Sequence, residues 1–424
     1  MRRVFTALAA ILAVQTVPVP TQATEAVMRA ATLSPRPLVR PQASDLVPIA
    51  ASNLGFQRWI EGFWPRASAA GIRSQTFNAA FAGVQYNSSV ISKDRNQSEF
   101  SKQVWEYLDG AVSANRINTG RALVQRYGPV LDQIERRYGV EKEVVVAIWG
   151  LESSYGGYRG STPIVEALAT LAYDGRRGEF FEDQLVAALQ ILQAGDVSPR
   201  GMRGSWAGAM GHTQFMPTSY LDHAVDFTGD GRRDIWSDDP TDALASTASY
   251  LNDFKWKKGQ PWAVEVRLPQ GFNYAQSGPD TVKTMRAWNR MGVRGIDGRE
   301  VPNYGRGAIL LPAGARGPAF MIFNNFNAIK AYNSSTAYVL AVGHLSDRIA
   351  GRPSIQAGWP RQDRALRTSE KRELQQRLTA AGFSTNGIDG KVGPDTIAAI
   401  KRWQKAAGLV PDGYANVALL QRMR

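Results

Sequence analysis

The stretch that most constrains this chain is an apolar run ending in a single carboxylate, at residues 144–156 (VVVAIWGLESSYG). Polar residues precede the run and Gly156-Gly157 end it, so the pattern predicts a buried helix with Glu152 at its C-terminal end. The helix dipole and the apolar neighbours both disfavour a charged carboxylate there, which predicts a raised pKa for Glu152. A carboxyl group that stays protonated near neutral pH can act as a general acid. The alternative is a surface glutamate that turns outward at a helix end.

Missing and rare residue types exclude several chemistries. The chain has no cysteine, which excludes disulfides, thiolate nucleophiles, thiolate–zinc sites and a lipid-modified cysteine. Its three histidines show no HExxH spacing, and neither a G-x-S-x-G nor a P-loop motif is present. The net charge of +13 favours an anionic partner, but no long Lys/Arg run occurs, so nucleic acid is not expected as a partner.

The N-terminus predicts export. Two arginines and an apolar segment precede a small-residue cleavage site, which predicts a signal peptide at residues 1–23. The apolar segment is shorter than the roughly 20 residues that span a bilayer, so we expect no stable membrane insertion after cleavage. A secreted protein, most consistent with the bacterial periplasm, is therefore predicted. Residues 24–50 are rich in Pro and Ala and predict a disordered spacer.

The rest of the chain predicts a mainly α protein with two folded parts. Residues 51–350 read as a helical domain with small irregular or β inserts. They include one long helix at 121–138, short strands at 264–310 and helix again at 319–349. Residues 351–363 predict a loose Pro/Gly linker, and residues 364–424 a small three-helix-type domain with its own apolar set.

Two further segments suit a polar substrate. Residues 205–217 (SWAGAMGHTQFMP) combine glycines, which let a backbone approach a ligand, with the hydrogen-bonding side chains of Ser205 and Gln214. Such a mixture fits a sugar or an amide, and it fits a plain helix-entry loop equally well. Arg176 and Arg177 place two cations in a turn, where the alternative is a solvated corner.

A calcium loop is the third candidate. Residues 226–234 (DFTGDGRRD) follow the start of an EF-hand loop, which predicts Asp226, Thr228, Asp230, Arg232 and Asp234 as ligands. Ser237 stands where the closing glutamate is expected, and Asp238, Asp239 or Asp242 could replace it. The alternative is an Asp/Gly-rich turn without an ion.

These motifs resemble a known family. Leu151-Glu152-Ser153, residues 207–211 (AGAMG), residues 214–217 (QFMP) and the Asp226 loop together resemble the membrane-bound lytic murein transglycosylase B family, in matching order from about residue 56 to 349. Residues 389–396 (DGKVGPDT) resemble the D-G-x-x-G-x-x-T signature of a peptidoglycan-binding module. Because the chain has no cysteine, it resembles a soluble rather than a lipid-anchored member.

The resemblance implies a lysozyme-like fold and cleavage of the MurNAc–GlcNAc β-1,4 bond without water, which leaves 1,6-anhydro ends. It implies that Glu152 acts first as general acid and then as general base. It also implies glycan contacts, which fall on Ser205, Gln214, Arg176, Arg177, Tyr332 and Asn333. The implied partner is peptidoglycan, with other cell-wall enzymes as further candidates, and no organic cofactor is implied.

Two rivals stay open from the sequence. An ordinary glycoside hydrolase needs a second carboxylate across the scissile bond, and none lies in a comparable apolar setting, although Asp222 and Asp226 lie near the 205–217 segment. A non-catalytic wall-binding scaffold would make Glu152 purely structural.

Overall fold

The computed structural model describes residues 43–95 and 102–424, with side chains from residue 53 onward. The predicted signal peptide and the predicted spacer up to residue 42 lie outside these ranges. The first helix, Ala43–Ala69, starts inside the predicted spacer, so the spacer ends earlier than predicted.

The described residues form seventeen α-helices and seven short strands. The helices are α1 (Ala43–Ala69), α2 (Ser74–Phe81), α3 (Ser88–Arg95), α4 (Val104–Ala111), α5 (Ala114–Arg126), α6 (Gly128–Tyr138), α7 (Lys142–Ser153), α8 (Ile164–Asp174), α9 (Gly178–Ala194), α10 (Pro217–His223), α11 (Thr241–Asp253), α12 (Met285–Arg290), α13 (Asn324–Tyr332), α14 (Thr336–Ile349), α15 (Thr368–Ala380), α16 (Pro394–Ala406) and α17 (Val417–Met423). The strands are β1 (Thr162–Pro163), β2 (Arg203–Gly204), β3 (Ala263–Arg267), β4 (Lys283–Thr284), β5 (Arg294–Gly295), β6 (Arg306–Leu310) and β7 (Ala319–Ile322). The mainly α prediction is confirmed.

Helix α7 is the centre of the largest hydrophobic core. All its residues from Val144 to Gly150 are buried, because its neighbours α5, α6, α11 and α14 surround it. Glu143 in its first turn complements the helix dipole, and Ser154 in the left-handed conformation ends the helix. Burying this apolar run therefore carries Glu152, one residue before the helix end, into the interior.

Two sequence predictions of secondary structure are wrong. The predicted helix 121–138 is two helices, because Pro129 in the first turn of α6 has no amide hydrogen to continue α5. The predicted helix 319–349 begins as strand β7, whose four residues are all buried. A short apolar run of this kind cannot be assigned to strand or helix by periodicity alone.

A small antiparallel sheet, in the order β4-β6-β7-β3-β5, is inserted between the helices. We call residues 263–323 the sheet insert. Its register pairs Val264 with Met321 and Ile309 with Met321, so β7 lies in the middle. The insert has a core of its own, which includes fully buried Trp288 from α12.

The C-terminal helices α15, α16 and α17 enclose a separate core of leucine, alanine and isoleucine side chains. Two Asp-Gly turns repeat one hydrogen-bond pattern there. Buried Gln375 holds the first turn through Asp389 Oδ1 (3.0 Å) and the amide of Gly390 (2.8 Å). Gln404 holds the second turn in the same way through Asp412 Oδ1 (2.8 Å) and the amide of Gly413 (2.8 Å).

The predicted linker is packed against the helical domain, so the expectation of loose coupling is wrong. Glu265 accepts hydrogen bonds from the amides of Gln356 and Ala357. The Trp359 ring lies 6.0 Å from that of Trp105. Arg361 forms a bidentate ion pair with Asp109, at 2.7 and 3.0 Å. These groups order a segment whose Pro/Gly composition alone favours flexibility.

The C-terminal domain also contacts the sheet insert. Lys401 Nζ donates to the carbonyl oxygen and the hydroxyl of Ser277, at 2.5 and 3.0 Å. Asp412 Oδ2 accepts from the amide of Ala315 at 2.9 Å. Over the described part of the chain, no helix has the length and apolar character required to cross a membrane.

Candidate functional site

Glu152 is a buried carboxyl group that interacts with three tyrosines, and we call Glu152, Tyr107, Tyr332 and Tyr338 together the Glu152 pocket. Its side chain is buried, and its Oε1 accepts a hydrogen bond from the Tyr338 hydroxyl at 2.6 Å. Burial raises the pKa of Glu152 to about 7, and the Tyr338 hydrogen bond opposes that rise. The prediction of a raised pKa at this helix end agrees with this direction. Burial is the larger cause, and the outward-facing alternative is wrong.

Tyr107 on α4 and Tyr332 on α13 also interact electrostatically with Glu152. The pKa of Tyr107 is raised to about 12, by burial first and by Glu152 second. The pKa of Tyr332 is raised well above its ordinary value by the same two causes in the same order. Three phenols from three different helices therefore face one carboxyl group, and all of them stay protonated at neutral pH.

The chain makes a tight turn immediately after Glu152. Ser154 and Tyr155 both adopt the left-handed conformation (φ 51° and 61°), which is uncommon for residues other than glycine. The turn brings the Tyr155 ring back over Gly150, where an added Cβ would come within 2.5 Å of the ring. Gly150 is therefore required for the turn that fixes the position of Glu152.

His212 locks this turn to the neighbouring loop. Trp149 Nε1 donates to His212 Nδ1 at 3.0 Å, so the proton of the neutral ring is on Nε2, which lies 2.7 Å from the carbonyl oxygen of Ser237. Burial, followed by smaller effects that include the nearby Arg159 cation, lowers the pKa of His212. Ser153 Oγ donates to the carbonyl oxygen of His212 at 2.6 Å. His212 thus fills the helix entry and holds the residues that flank Glu152.

The 205–217 loop lies against the same pocket. The Tyr332 hydroxyl donates to the carbonyl oxygen of Thr213 at 2.5 Å, which places Gln214 beside the Glu152 pocket. Gln214 adopts the left-handed conformation (φ 54°), and its Nε2 donates to the carbonyl oxygens of Arg159 and Gly211. No described residue donates to its Oε1, so that oxygen is available to a ligand.

Ser205 and Asn333 have structural partners. Ser205 is buried, and its hydroxyl accepts from the amide of Ala209 at 3.0 Å, which closes the loop. Asn333 is buried next to Tyr332, and its Oδ1 accepts from the amide of Ser335 at 3.0 Å. The structure therefore places Tyr332 near Glu152 and the loop that contains Gln214 against Tyr332, and among the described residues no contact joins Ser205 or Asn333 to Glu152. Direct glycan contacts by these four residues stay predictions.

Arg176 and Arg177 have a different arrangement. Both guanidinium groups pair with the single buried carboxylate of Asp94, at 2.5 and 2.8 Å. Arg177 also lies over the Phe181 ring, 4.7 Å from its centroid. Because Asp94 pairs with both cations, it joins the α8–α9 turn to α3, and the pair and its partner together keep one net positive charge. A role of Arg176 and Arg177 in pairing with substrate carboxylates stays a prediction.

The Asp226 loop brings together three carboxylates, from Asp226, Asp230 and Asp242, whose oxygens lie within 4.8 Å of one another. Asp242 is buried in the first turn of α11 and completes the cluster from outside the EF-hand spacing. Oxygen ligands of this kind suit calcium.

The other three predicted ligands contribute to the turn itself. Asp234 Oδ1 accepts from the amides of Trp236 and Ser237, the Thr228 hydroxyl donates to Asp226, and the Arg232 amide donates to Asp230. Asp234 therefore lies outside the cluster of three.

Sequence reasoning missed Tyr338, Tyr107 and the structural role of His212. Tyr338 lies 186 residues beyond Glu152, and only the packing of α14 on α7 brings the two together. Tyr107 lies in an ordinary amphipathic helix and carries no motif. For His212, its place in the 205–217 segment was a signal, but the hydrogen bonds that define its role come from Trp149 and Ser237.

Chemically, this pocket holds one proton donor that can also become a base. A carboxyl group with a pKa of about 7 is present in both forms near neutral pH. Burial causes the upward shift, the Tyr338 hydrogen bond opposes it, and no second carboxylate in the described residues contributes to it. The arrangement therefore supports acid and base catalysis by a single residue.

The chain is similar to known proteins over most of its length. The chain matches the family described as Transglycosylase SLT domain over residues 55–347, and a peptidoglycan binding domain over residues 367–423. It is 34% identical over 252 residues to membrane-bound lytic murein transglycosylase B of Escherichia coli (strain K12). That alignment covers 58% of this chain and 66% of the relative's own length.

Solved structures are similar over larger parts of the chain. The structure of SltB3 from Pseudomonas aeruginosa in complex with NAG-anhNAM-pentapeptide has a TM-score of 0.85 and 48% identity, and the match covers 87% of this chain and 99% of that one. The structure of the Escherichia coli lytic transglycosylase Slt35 in complex with calcium has a TM-score of 0.60 and 30% identity. That match covers 74% of this chain and 98% of the Slt35 chain.

Proposed function

The chain belongs to the transglycosylase SLT family, and from this premise we propose that it cleaves the MurNAc–GlcNAc β-1,4 bond of peptidoglycan without water, with Glu152 as the only catalytic carboxylate. The single observation that carries the proposal is the Glu152 pocket. It holds one buried carboxyl group with a pKa of about 7, and no other carboxylate in the described residues acts on it.

In the first step, protonated Glu152 donates its proton to the glycosidic oxygen. The bond between C1 of MurNAc and that oxygen breaks, and positive charge develops at C1. Glu152 is left as a carboxylate in a buried site. The Tyr338 hydroxyl, 2.6 Å from Oε1, stabilises that negative charge and so lowers the cost of releasing the proton.

In the second step, the Glu152 carboxylate removes the proton from the C6 hydroxyl of the same MurNAc. The freed oxygen forms a bond to C1, which gives the 1,6-anhydro end and returns the proton to Glu152. No water is consumed, and the residue ends in the form in which it began. Gln214 Oε1 and the Tyr332–Asn333 segment would hold the sugar during this step, since Gln214 Nε2 and the Tyr332 hydroxyl already have partners that fix their positions.

The glycoside hydrolase is the rival that this geometry disfavours. Retaining and inverting hydrolases place two carboxyl groups about 5 to 9.5 Å apart across the bond. The pKa of Glu152 is shifted by burial and Tyr338, without a contribution from such a partner among the described residues. A purely structural Glu152 is disfavoured too, because a buried carboxyl group with a single hydrogen bond weakens a fold rather than stabilising it.

The test is mass spectrometry of peptidoglycan digested by the native enzyme and by Glu152→Gln. We expect anhydro ends from the native enzyme and a loss of at least about 10²-fold in rate for Glu152→Gln. Glu143→Gln is the matched control, because it makes the same change in the first turn of the same helix. Reducing ends would replace this proposal by hydrolysis, and near-native turnover of Glu152→Gln would remove Glu152 from the mechanism.

A calcium ion fits the Asp226 loop. Asp226, Asp230 and Asp242 would hold the ion, and their carboxylates, which repel one another, would be neutralised by it. The loop is joined to the active site, because the carbonyl oxygen of Ser237 accepts from His212. The ion would therefore stabilise the position of Glu152 and take no part in the chemistry.

The C-terminal domain would bind the wall polymer. Its second Asp-Gly turn is engaged with the sheet insert through Asp412, whereas the first turn exposes Ile388 beside Asp389. The first turn is therefore the surface left for peptidoglycan. The site of action would be the bacterial periplasm, after removal of the predicted signal peptide, and other cell-wall enzymes are candidate partners there.

A further inference from the structure

A surface groove in the sheet insert is lined by four arginines and one acid. The groove has a volume of about 890 Å³, and its cations are Arg286, Arg290, Arg294 and Arg306. We call it the arginine groove. The single acid is Glu300, so the lining carries a marked positive charge. None of these five residues belongs to the Glu152 pocket described above.

Packing forces the arginines to this surface. Met285 and Trp288 anchor α12 in the insert core, and Trp288 Nε1 donates to the carbonyl oxygen of Gly307 at 2.8 Å. Arg286 and Arg290 are four residues apart on this helix, so they share one face and repel each other. This repulsion lowers the stability of the fold. An anion bound between the two side chains would offset the repulsion.

Two of the four arginines are fixed by backbone oxygens. Arg294 Nη1 donates to the carbonyl oxygens of Asn289 and Val293, at 2.7 and 2.9 Å. Arg306 lies opposite Thr284 in the sheet, and its Nη2 donates to the carbonyl oxygen of Val282 at 3.1 Å. These bonds hold the walls of the groove without neutralising either cation.

The charges of the groove are left largely uncompensated. Glu300 forms an ion pair with Arg294 at 3.6 Å, and its side chain is 67% exposed, so it offsets one of the four positive charges. Arg286 and Arg290 are exposed, and no acidic side chain within the described ranges pairs with them. Arg176 and Arg177, in contrast, both pair with the buried Asp94 carboxylate.

We propose that the arginine groove binds carboxylate groups of peptidoglycan stem peptides, at a site separate from the Glu152 pocket. Guanidinium groups bind carboxylates through paired, charge-assisted hydrogen bonds, and the guanidinium N–H donors of Arg286 and Arg290 are available for such bonds. The groove also lies on the insert that carries the C-terminal domain, through Ser277 and Ala315. The inference rests on the proposed function, because that function makes a polymer with peptide carboxylates the substrate.

The test uses the full chain carrying Glu152→Gln, so that the polymer is not degraded during binding. Cosedimentation with intact sacculi compares Arg286→Gln/Arg290→Gln with the matched control Arg58→Gln/Arg136→Gln, which removes the same charge from exposed arginines elsewhere. We expect about tenfold weaker binding for the groove variant only. On sacculi whose peptide carboxylates have been amidated, the two variants should bind equally. Circular dichroism verifies that both variants are folded.

Three results would overturn the proposal. The first is equal binding of the groove variant and the control variant to intact sacculi, and the second is a difference in their binding that is as large on amidated sacculi as on intact ones. The third is a difference in binding seen only with phosphatidylglycerol vesicles, which would assign the site to lipid phosphate. Product analysis separates this proposal from the proposed function. Anhydro ends without a groove effect reject the groove alone, and a groove effect without anhydro ends rejects the reaction alone.

Discussion

Replacing Tyr338 by Phe should shift the alkaline limb of the pH–activity profile to higher pH. Glu152 must be protonated to donate, so activity falls as pH rises through its pKa of about 7. The Tyr338 hydrogen bond favours the carboxylate, and its loss therefore raises that pKa. A hydrogen bond to a charged group is worth about 1.5–3 kcal/mol and one to a neutral group about 0.5–1.5. The midpoints of these ranges differ by about 1.25 kcal/mol, which corresponds to about one pH unit.

The assay is kcat/KM against pH on short soluble glycan strands, with anhydro ends counted by mass spectrometry. Tyr250→Phe is the matched control, because it deletes a buried hydroxyl that bonds the carbonyl oxygen of Ala331 and does not contact Glu152. Tyr338→Phe should also lower the maximal rate, since the carboxylate formed in the first step loses its donor. An alkaline limb that stays in place, or moves to lower pH, would refute this account of the Glu152 pKa.

Three further outcomes follow from the same contacts. Glu152→Gln should be more stable than the native protein by an amount that grows as pH rises from 4.5 to 7 and reaches about 3 kcal/mol above pH 7. The reason is that the native carboxyl group must ionise in a buried site. Urea unfolding of both proteins at pH 5 and pH 8 measures the difference. Asp242→Asn should abolish the increase in melting temperature that calcium produces in chelator-treated protein, and an unchanged calcium response would remove Asp242 from the site. His212→Leu should lower the free energy of unfolding by about 1–3 kcal/mol, because buried Trp149 Nε1 loses its hydrogen-bond acceptor. It should also lower kcat more than it raises KM, whereas an effect on KM alone would mean that His212 contacts the substrate directly.

The helix around Glu152 was predictable because its information is local. An apolar run, a carboxylate and two glycines lie within thirteen residues of sequence, and the buried helix with a raised pKa follows from them. The family and the enzyme class predicted from these motifs are confirmed at the level of the family. The same holds for the three-helix C-terminal domain, whose core residues recur at helical spacing.

Contacts between distant segments were not predictable. Arg176 and Arg177 form a cationic turn in sequence, but both pair with Asp94, which lies more than eighty residues earlier in the chain. Asp242 was one of three candidates for closing the metal loop, and only the approach of α11 selects it. The arginine groove likewise assembles from α12, β5 and β6, so no local run of charge reveals it.

The docked C-terminal domain changes how wall binding would assist cleavage. A free tether would raise the local concentration of substrate without any fixed geometry. Here the linker is held by Arg361 and Trp359, and the domain is held by Lys401 and Asp412. The first Asp-Gly turn, the arginine groove and the Glu152 pocket are therefore fixed relative to one another. A strand bound at the outer sites would enter the pocket in a set orientation, so loss of the domain should reduce the choice among cleavage positions as well as the affinity for the wall.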